Sequence, residues 1–314
     1  MILTVTLNAA IDKRYVVENF VPYTVGRVKE CTYSAGGKGL NVSRIAAIYG
    51  EEVVATGFLG GHSGAYIAEA IERDGVKSAF LFTQGESRSC INIYDEATKK
   101  QTELLEPGIT VTNEELRLFL AHYETLVKKA DVVSISGSVP RGVPIQYYGE
   151  LIQLAKKQKK PVLLDTSGEL LEKNLKFIPD MIKPNDDEIA MLTGQEHLSE
   201  EEILKEAMTL YHSGITYVVI SLGKKGSLTV CKDGVFRARV PQFKPVNTVG
   251  CGDAMTAGYA IGLAHNMSGI ETVRLASAIS SASSMCAGTG MFEKKELGTM
   301  MGQIEIEKIW NNKV

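Results

Sequence analysis

Short β-branched runs alternate with longer amphipathic stretches along most of this chain, and that alternation admits few folds. Residues 2–7, 53–58, 131–136, 161–165 and 217–222 read as strands, while residues 63–73, 113–129, 145–157, 200–212 and 253–264 carry apolar side chains at helical spacing. Repetition of this kind builds an α/β fold on a largely parallel sheet. The second helix opens on Thr112-Asn113-Glu114-Glu115, a capping box. Two stretches break the rhythm: residues 12–35 and 88–105 are β-rich with no helix inside them. They read as antiparallel strands inserted into the core. Such a sheet either closes as a lid over a site at the strand ends, where open α/β sheets bind ligands, or sits on the surface with no gating role. No internal repeat, low-complexity tract or Gly/Ser linker divides the chain, so one core with an insertion is expected rather than two serial domains.

Composition narrows the partners. The 314 residues are 44% hydrophobic, enough for a sizeable core, and 34 basic against 37 acidic side chains leave a net charge of −3. A near-neutral chain has no global field for nucleic acid or an acidic membrane, so any anion binding has to be local. The five cysteines and five histidines show neither metal-ligand nor thiol-redox spacing. The chain opens on an alternating strand without a basic leader, and no apolar run approaches the ~20 residues of a membrane span, so a cytoplasmic protein is expected.

Two glycine clusters could carry chemistry. In Gly36-Gly37-Lys38-Gly39-Leu40-Asn41, bare backbone meets a cation and an amide: glycines let main-chain amides approach a polar ligand, Lys38 offers charge to a phosphate and Asn41 could fix a hydroxyl. The spacing matches neither a Walker A loop nor a dinucleotide fingerprint, and a plain turn before a helix is the alternative. The second cluster, Gly250-Cys251-Gly252-Asp253, runs into a helix whose first amides form an anion site. Asp253 there either caps the helix or takes a proton from an attacking hydroxyl. Gly258 and Gly262 are expected to permit close helix packing.

Weaker signals lie elsewhere. Lys183-Pro184-Asn185-Asp186-Asp187-Glu188 is either a water-mediated Mg²⁺ element or a capping box, and Ser221-Leu222-Gly223-Lys224-Lys225-Gly226 either underlies a nucleotide or turns a hairpin into Leu228–Cys231. Arg27 and Arg88 fall in the inserted sheet. Lys156, Lys157, Lys159 and Lys160 complement a helix C-terminus, Cys251 reads as a small packed residue, and Trp310 reads as a packing anchor near the end of the chain.

Taken together, the two glycine clusters resemble the two signatures of the PfkB, or ribokinase-like, family of carbohydrate kinases, and the resemblance covers nearly the whole chain. Thr6-Leu7-Asn8 with Asp12, Ser136-Gly137-Ser138, Lys183-Pro184-Asn185 and Ser221-Leu222-Gly223 look like its hexose-phosphate branch, which contains tagatose-6-phosphate kinases and 1-phosphofructokinases. The wording around Ser34–Val42, Gly85–Ile91 and Gln101–Glu106 is closer to the former. The resemblance implies a three-layer α/β core of residues 1–11, 36–87 and 106–314, with a β-sheet lid of residues 12–35 and 88–105. It implies ATP and Mg²⁺ as co-substrate and cofactor, and phosphorylation of a phosphorylated ketohexose. Asp253 matches the family's base, and Gly250, Cys251 and Gly252 match its anion hole. Asp12, Gly36, Gly37, Asn41 and Ser138 match the sugar side, with Lys38 and Arg88 toward the substrate's existing phosphate. Lys183, Asn185, Ser221, Gly223 and Gly226 match the nucleotide side, and Asn185 with Glu188 the element that orders Mg²⁺ through water. A homodimer formed through the lid is a further expectation. A catalytically silent sugar-phosphate sensor and a kinase of free sugars or nucleosides are the competing readings. Ala9-Ala10 after Asn8, Cys251 in the anion hole, and Ser138-Val139-Pro140-Arg141 depart from the usual pattern without removing a reacting group.

Overall fold

A computed structural model of the protein describes residues 1–310, and the side chain of Trp310 lies outside what is described. The main sheet runs, edge to edge, Glu305–Trp310, Gly234–Arg239, Ser227–Cys231, Tyr217–Ser221, Met181–Ile182, Val162–Asp165, Val132–Ser136, Ile2–Thr6, Val53–Leu59 and Lys77–Ser78, with Leu81–Phe82 also on Val53–Leu59. From Lys77–Ser78 to Tyr217–Ser221 every pairing is parallel, and the three strands beyond Tyr217–Ser221 are antiparallel. The expected strands at 2–7, 53–58, 131–136, 161–165 and 217–222 are all present within a residue of those bounds. The two-residue strands at 77–78, 81–82 and 181–182 are too short to show periodicity.

The parallel strands Ile2–Thr6, Val53–Leu59, Val132–Ser136 and Val162–Asp165 are buried along their whole length, as a sheet covered on both faces requires. Alternation divides the core in two. Ile2 and Ala55 face the layer of helices Lys38–Tyr49, Gly61–Arg73, Cys251–Ala264 and Gly269–Ser284, whereas Leu3, Val5 and Val54 face Asn113–Val127, Tyr147–Lys157 and Glu200–His212. Thr4, on the first of these faces, exchanges a 2.6 Å hydroxyl hydrogen bond with Ser43 and so satisfies both groups. The capping box at Thr112 forms with both of its bonds, and Lys156 and Lys157 occupy the last turn of their helix.

The β-rich stretches make a separate four-stranded sheet of Glu30–Gly36, Ala10–Val17, Arg88–Asp95 and Lys100–Leu105, in that order. Two hairpins, Ala10–Gly36 and Arg88–Leu105, join through a parallel pairing of Ala10–Val17 with Arg88–Asp95. A parallel pairing is open to them because the two strands are joined through a long stretch of core rather than by a tight turn. Residues 18–29, expected as part of the β-rich run, form the connection rather than strand.

Helices Cys251–Ala264 and Gly269–Ser284 pack closely, backbone to backbone at Gly258 and backbone to side chain at Gly262. A Cβ on Gly258 would lie 2.4 Å from Ala276 Cα, and one on Gly262 would lie 2.5 Å from Thr272 Cγ2. Gly258→Ala should therefore lower stability by about 1–3 kcal/mol as the helices are forced apart, against about 1 kcal/mol of recovered helix propensity. Urea unfolding followed by circular dichroism measures the balance, and a raised midpoint would show that the helices separate freely.

Candidate active site

Two turns meet at the C-terminal ends of the parallel strands. In the first, strand Glu30–Gly36 passes through Gly37 directly into helix Lys38–Tyr49. Gly36 is required by its neighbour across the sheet: a Cβ there would fall 2.0 Å from Asp12 Cγ, so any side chain would displace the carboxylate. Asp12 is pushed up to about 6 by burial, against the opposing charges of Arg88 and Arg44. The Asn41 side chain leaves the first turn of the helix buried, and its Nδ2 donates to Asp253 Oδ2 at 2.8 Å.

In the second turn Gly250 stands at φ +82° as the N-cap of helix Cys251–Ala264, with no side-chain cap. Asp253 is buried and its carboxylate faces Asn41 rather than the helix end, so the capping alternative is not what the chain adopts. Cys251 N–H donates to Thr248 O at 3.3 Å, while the amides of Gly252 and Asp253 fall in the first turn, which holds no intrahelical acceptors for them. The Cys251 thiol is pushed up to about 11 by burial and by Asp253, which leaves a packed thiol rather than a nucleophile.

Between the turns stands a residue that the sequence reading did not single out. Asp165, 2% exposed at the end of strand Val162–Asp165, has Lys38 Nζ at 3.4 Å from Oδ1 and Lys183 Nζ at 3.4 Å from Oδ2. Its Oδ2 also accepts from Thr256 Oγ1 at 2.8 Å. Burial alone would raise its pKa, but the two lysines and the hydroxyl outweigh it and hold the carboxyl below the usual range. Asp253 has the opposite fate: burial first, and the Asp165 charge second, push it up to about 7 against Asn41, Lys38 and Lys183. Lys38 is raised in turn, mainly by Asp165. The signal that could have found Asp165 is an aspartate closing an apolar strand in an open α/β sheet, at the edge where such sheets bind ligands.

The remaining sequence-chosen residues flank this centre. Arg88 Nε donates to Asn8 O at 3.0 Å and Nη1 to Glu106 O at 3.3 Å, while Asn8 Nδ2 donates to Ser138 Oγ at 3.2 Å. Lys38 and Arg88, paired in expectation, are thus engaged differently: Lys38 with Asp165, Arg88 with backbone at the root of the small sheet. Asn185 and Glu188 form a complete capping box, Glu188 N to Asn185 Oδ1 at 2.7 Å and Asn185 N to Glu188 Oε2 at 2.9 Å, and Asn185 bridges to Ser221. Lys183 stands beside the second turn: a Cβ on Gly252 would be 3.2 Å from its Nζ. Gly223 and Gly226 bound the tight hairpin between Tyr217–Ser221 and Ser227–Cys231. Arg27 is exposed. Among the described residues no cluster of His, Cys, Asp and Glu forms a cage that could hold a metal by itself, and no helix is long and apolar enough to cross a membrane.

Residues 3–295 match the pfkB family of carbohydrate kinases. The chain belongs to that family. It is 38% identical over 312 residues, 98% of this chain and all of the relative, to a tagatose-6-phosphate kinase of Staphylococcus epidermidis. Phosphofructokinase-2 of Escherichia coli, in a structure with potassium, superposes with a TM-score of 0.89 at 28% identity, over 96% of this chain and 98% of that one. A Thermotoga maritima chain described as a possible 1-phosphofructokinase superposes at 0.87 and 28% identity over 98% and 99% of the two chains. This pfkB protein is an ATP-dependent sugar kinase, and its mostly parallel main sheet with a small second sheet is the expected fold class.

The two buried carboxylates give a linkage test. A carboxyl raised in the folded state binds its proton more tightly there than in the unfolded chain. The Asp253 contribution is therefore fully present below about pH 4 and lost as pH rises through about 7. Asp253→Asn should remove that loss, so its stability relative to the parent should increase from pH 5 to pH 8. Equal differences at both pH values, measured by thermal unfolding, would mean that Asp253 is not raised.

Proposed function

We propose that this pfkB kinase transfers the γ-phosphoryl group of ATP to the C1 hydroxyl of tagatose 6-phosphate, giving tagatose 1,6-bisphosphate and ADP. The observation that carries the chemistry is Asp253, a carboxylate in the first turn of a helix that caps nothing and is raised to about 7. A general base works best when its pKa lies near the working pH. The substrate follows from the full-length likeness to a tagatose-6-phosphate kinase.

In this reading the hydroxyl oxygen forms the new bond to the γ-phosphorus as the bond to the bridging oxygen of ADP breaks, and the hydroxyl proton passes to Asp253. Amides of the Gly250–Asp253 turn, with Lys38 and Lys183, meet the charge on the moving phosphoryl group. Asp165 holds those two lysines in place. Asp12, Gly36, Gly37, Asn41 and Ser138 line the sugar side, and Arg88 addresses the phosphate already on the sugar. Asn185, Ser221, Gly223 and Gly226 lie on the nucleotide side.

The donor set fits Mg²⁺ only in part, as expected of an ion carried by phosphates: Glu188 and Asn185 offer oxygens to its water shell, and Mg²⁺ keeps several waters in such sites. Bound there, it would neutralise phosphate charge. The small sheet is read as the lid, its strands Ala10–Val17, Glu30–Gly36, Arg88–Asp95 and Lys100–Leu105 extending the expected 12–35 and 88–105 by a residue or two at the first hairpin and closing over the main sheet and its helices. Its exposed Tyr33, Leu104 and Leu105, with Val21, Tyr23, Val25 and Val28 in the connection, offer an apolar surface that a second copy of the chain would cover. A cytoplasmic site of action accords with this substrate and cofactor.

Asp253→Asn should lower turnover on the order of 10² to 10⁴-fold with sugar-phosphate binding kept, the scale of a lost general base. A coupled ADP assay with tagatose 6-phosphate, fructose 1-phosphate and fructose 6-phosphate decides the substrate. Preference for fructose 1-phosphate would make the protein a 1-phosphofructokinase, and binding without ADP formation would make it a sensor. Arg88→Ala should raise KM for sugar phosphate more than KM for ATP, and equal rises would take Arg88 away from the substrate phosphate.

A further inference from the structure

Arg44 lies one turn beyond Asn41 on helix Lys38–Tyr49 and is only 5% exposed. Each arm of its guanidinium has an acceptor. Nε donates to Asp74 Oδ2 at 2.6 Å, at the end of helix Gly61–Arg73, and Nη2 to Ala35 O at 2.7 Å, one residue before Gly36. Nη1 is shared between Asn41 Oδ1 at 3.3 Å and Thr289 O at 3.4 Å. Thr289 belongs to the loop that covers the second turn, since a Cβ on Gly250 would lie 2.7 Å from its Cγ2. One buried cation therefore touches the strand leading into the first turn, the loop over the second, and the amide that joins them.

We propose that Arg44 is a positioning residue: it fixes the Asn41 amide with Oδ1 toward the guanidinium and Nδ2 toward Asp253, and so sets the hydrogen bond that the base receives. An amide has one accepting and one donating end, and a cation on one side with a carboxylate on the other leaves a single orientation. Without the guanidinium fork the amide is free to turn. Its oxygen then accepts a proton from the neutral acid instead of the nitrogen donating to the carboxylate, which favours the protonated form of Asp253. The other groups that face Asp253 are Asp165, Lys38, Lys183 and the Cys251 thiol, and none of them is bonded to Arg44; Arg44 also bears through space on Asp12, an effect of its charge that a lysine at the same position keeps.

This inference rests on Asp253 acting as the base, and the two fail separately. If Asp253→Asn keeps its turnover, the base assignment falls; if only the Arg44 result fails, the positioning role falls alone. With purified full-length protein, Arg44→Lys should move the acid limb of the kcat/KM profile upward by roughly one pH unit. Activity should then be about tenfold low on the acid side and recover at high pH. A merely structural role predicts the same loss at every pH, and that result overturns the proposal. Gly290→Ala tests the pair from outside even if Arg44→Lys does not fold, because a Cβ there would lie 2.9 Å from both Arg44 Nη1 and Asn41 Oδ1. It should shift the limb in the same direction, and a limb unmoved in the folded variants overturns the proposal. Asp74→Asn, which alters only the outer anchor, should lower the melting temperature and leave the limb in place; a limb that moves equally in Asp74→Asn also overturns it.

Discussion

Two carboxylates buried at one end of a parallel sheet cannot both keep their charge cheaply, and the site is organised around that conflict. Asp165 holds its charge because Lys38, Lys183 and the Thr256 hydroxyl surround it. Asp253 accepts a hydrogen bond from the Asn41 amide, but burial and the neighbouring Asp165 charge outweigh that bond and the two lysines and raise it. Environments that push two acids apart assign them different work: the one that stays ionised orders cations, and the other can take and release a proton near neutral pH.

The fold brings these groups together from distant parts of the chain. Asp165 ends a strand, Asp253 opens a helix, and Lys38 and Asn41 open another helix after a return from the small sheet. Each sits where a regular element begins or ends at the same edge of the main sheet. There backbone groups are left unpaired by geometry and side chains converge without disturbing the packed layers. Helices Cys251–Ala264 and Gly269–Ser284 lock by close contact of Gly258 with the Ala276 backbone and of Gly262 with the Thr272 side chain, which keeps the second turn on a rigid support.

Most of the architecture was legible in the sequence because buried parallel strands are uninterrupted apolar runs and their helices alternate with them. The antiparallel extension and the shortest strands were not, since two-residue pairings leave no period to read. At the site, the glycine turns and Asp253 were visible as local clusters. Asp165 and Arg44 were not. Each is an ordinary charged residue in sequence, and its meaning comes from partners far along the chain: Lys38 for Asp165, Thr289 for Arg44. Asn185 and Glu188 show the reverse case, where a local pattern permitted two readings and the capping geometry is fully formed.

The parallel pairing that joins the two halves of the small sheet sets Ala10 opposite Arg88 and Asp12 opposite Cys90. Side chains alternate across a strand, so losing or gaining one residue inside either segment would turn Asp12 or Arg88 to the opposite face. The connection of residues 18–29 lies outside this pairing and carries no such register constraint, whereas inside the paired segments only a change of two residues would restore the facing. The position of Asp12 and Arg88 therefore hangs on the register of one strand pair, far more than on the length of the connection between the first two strands.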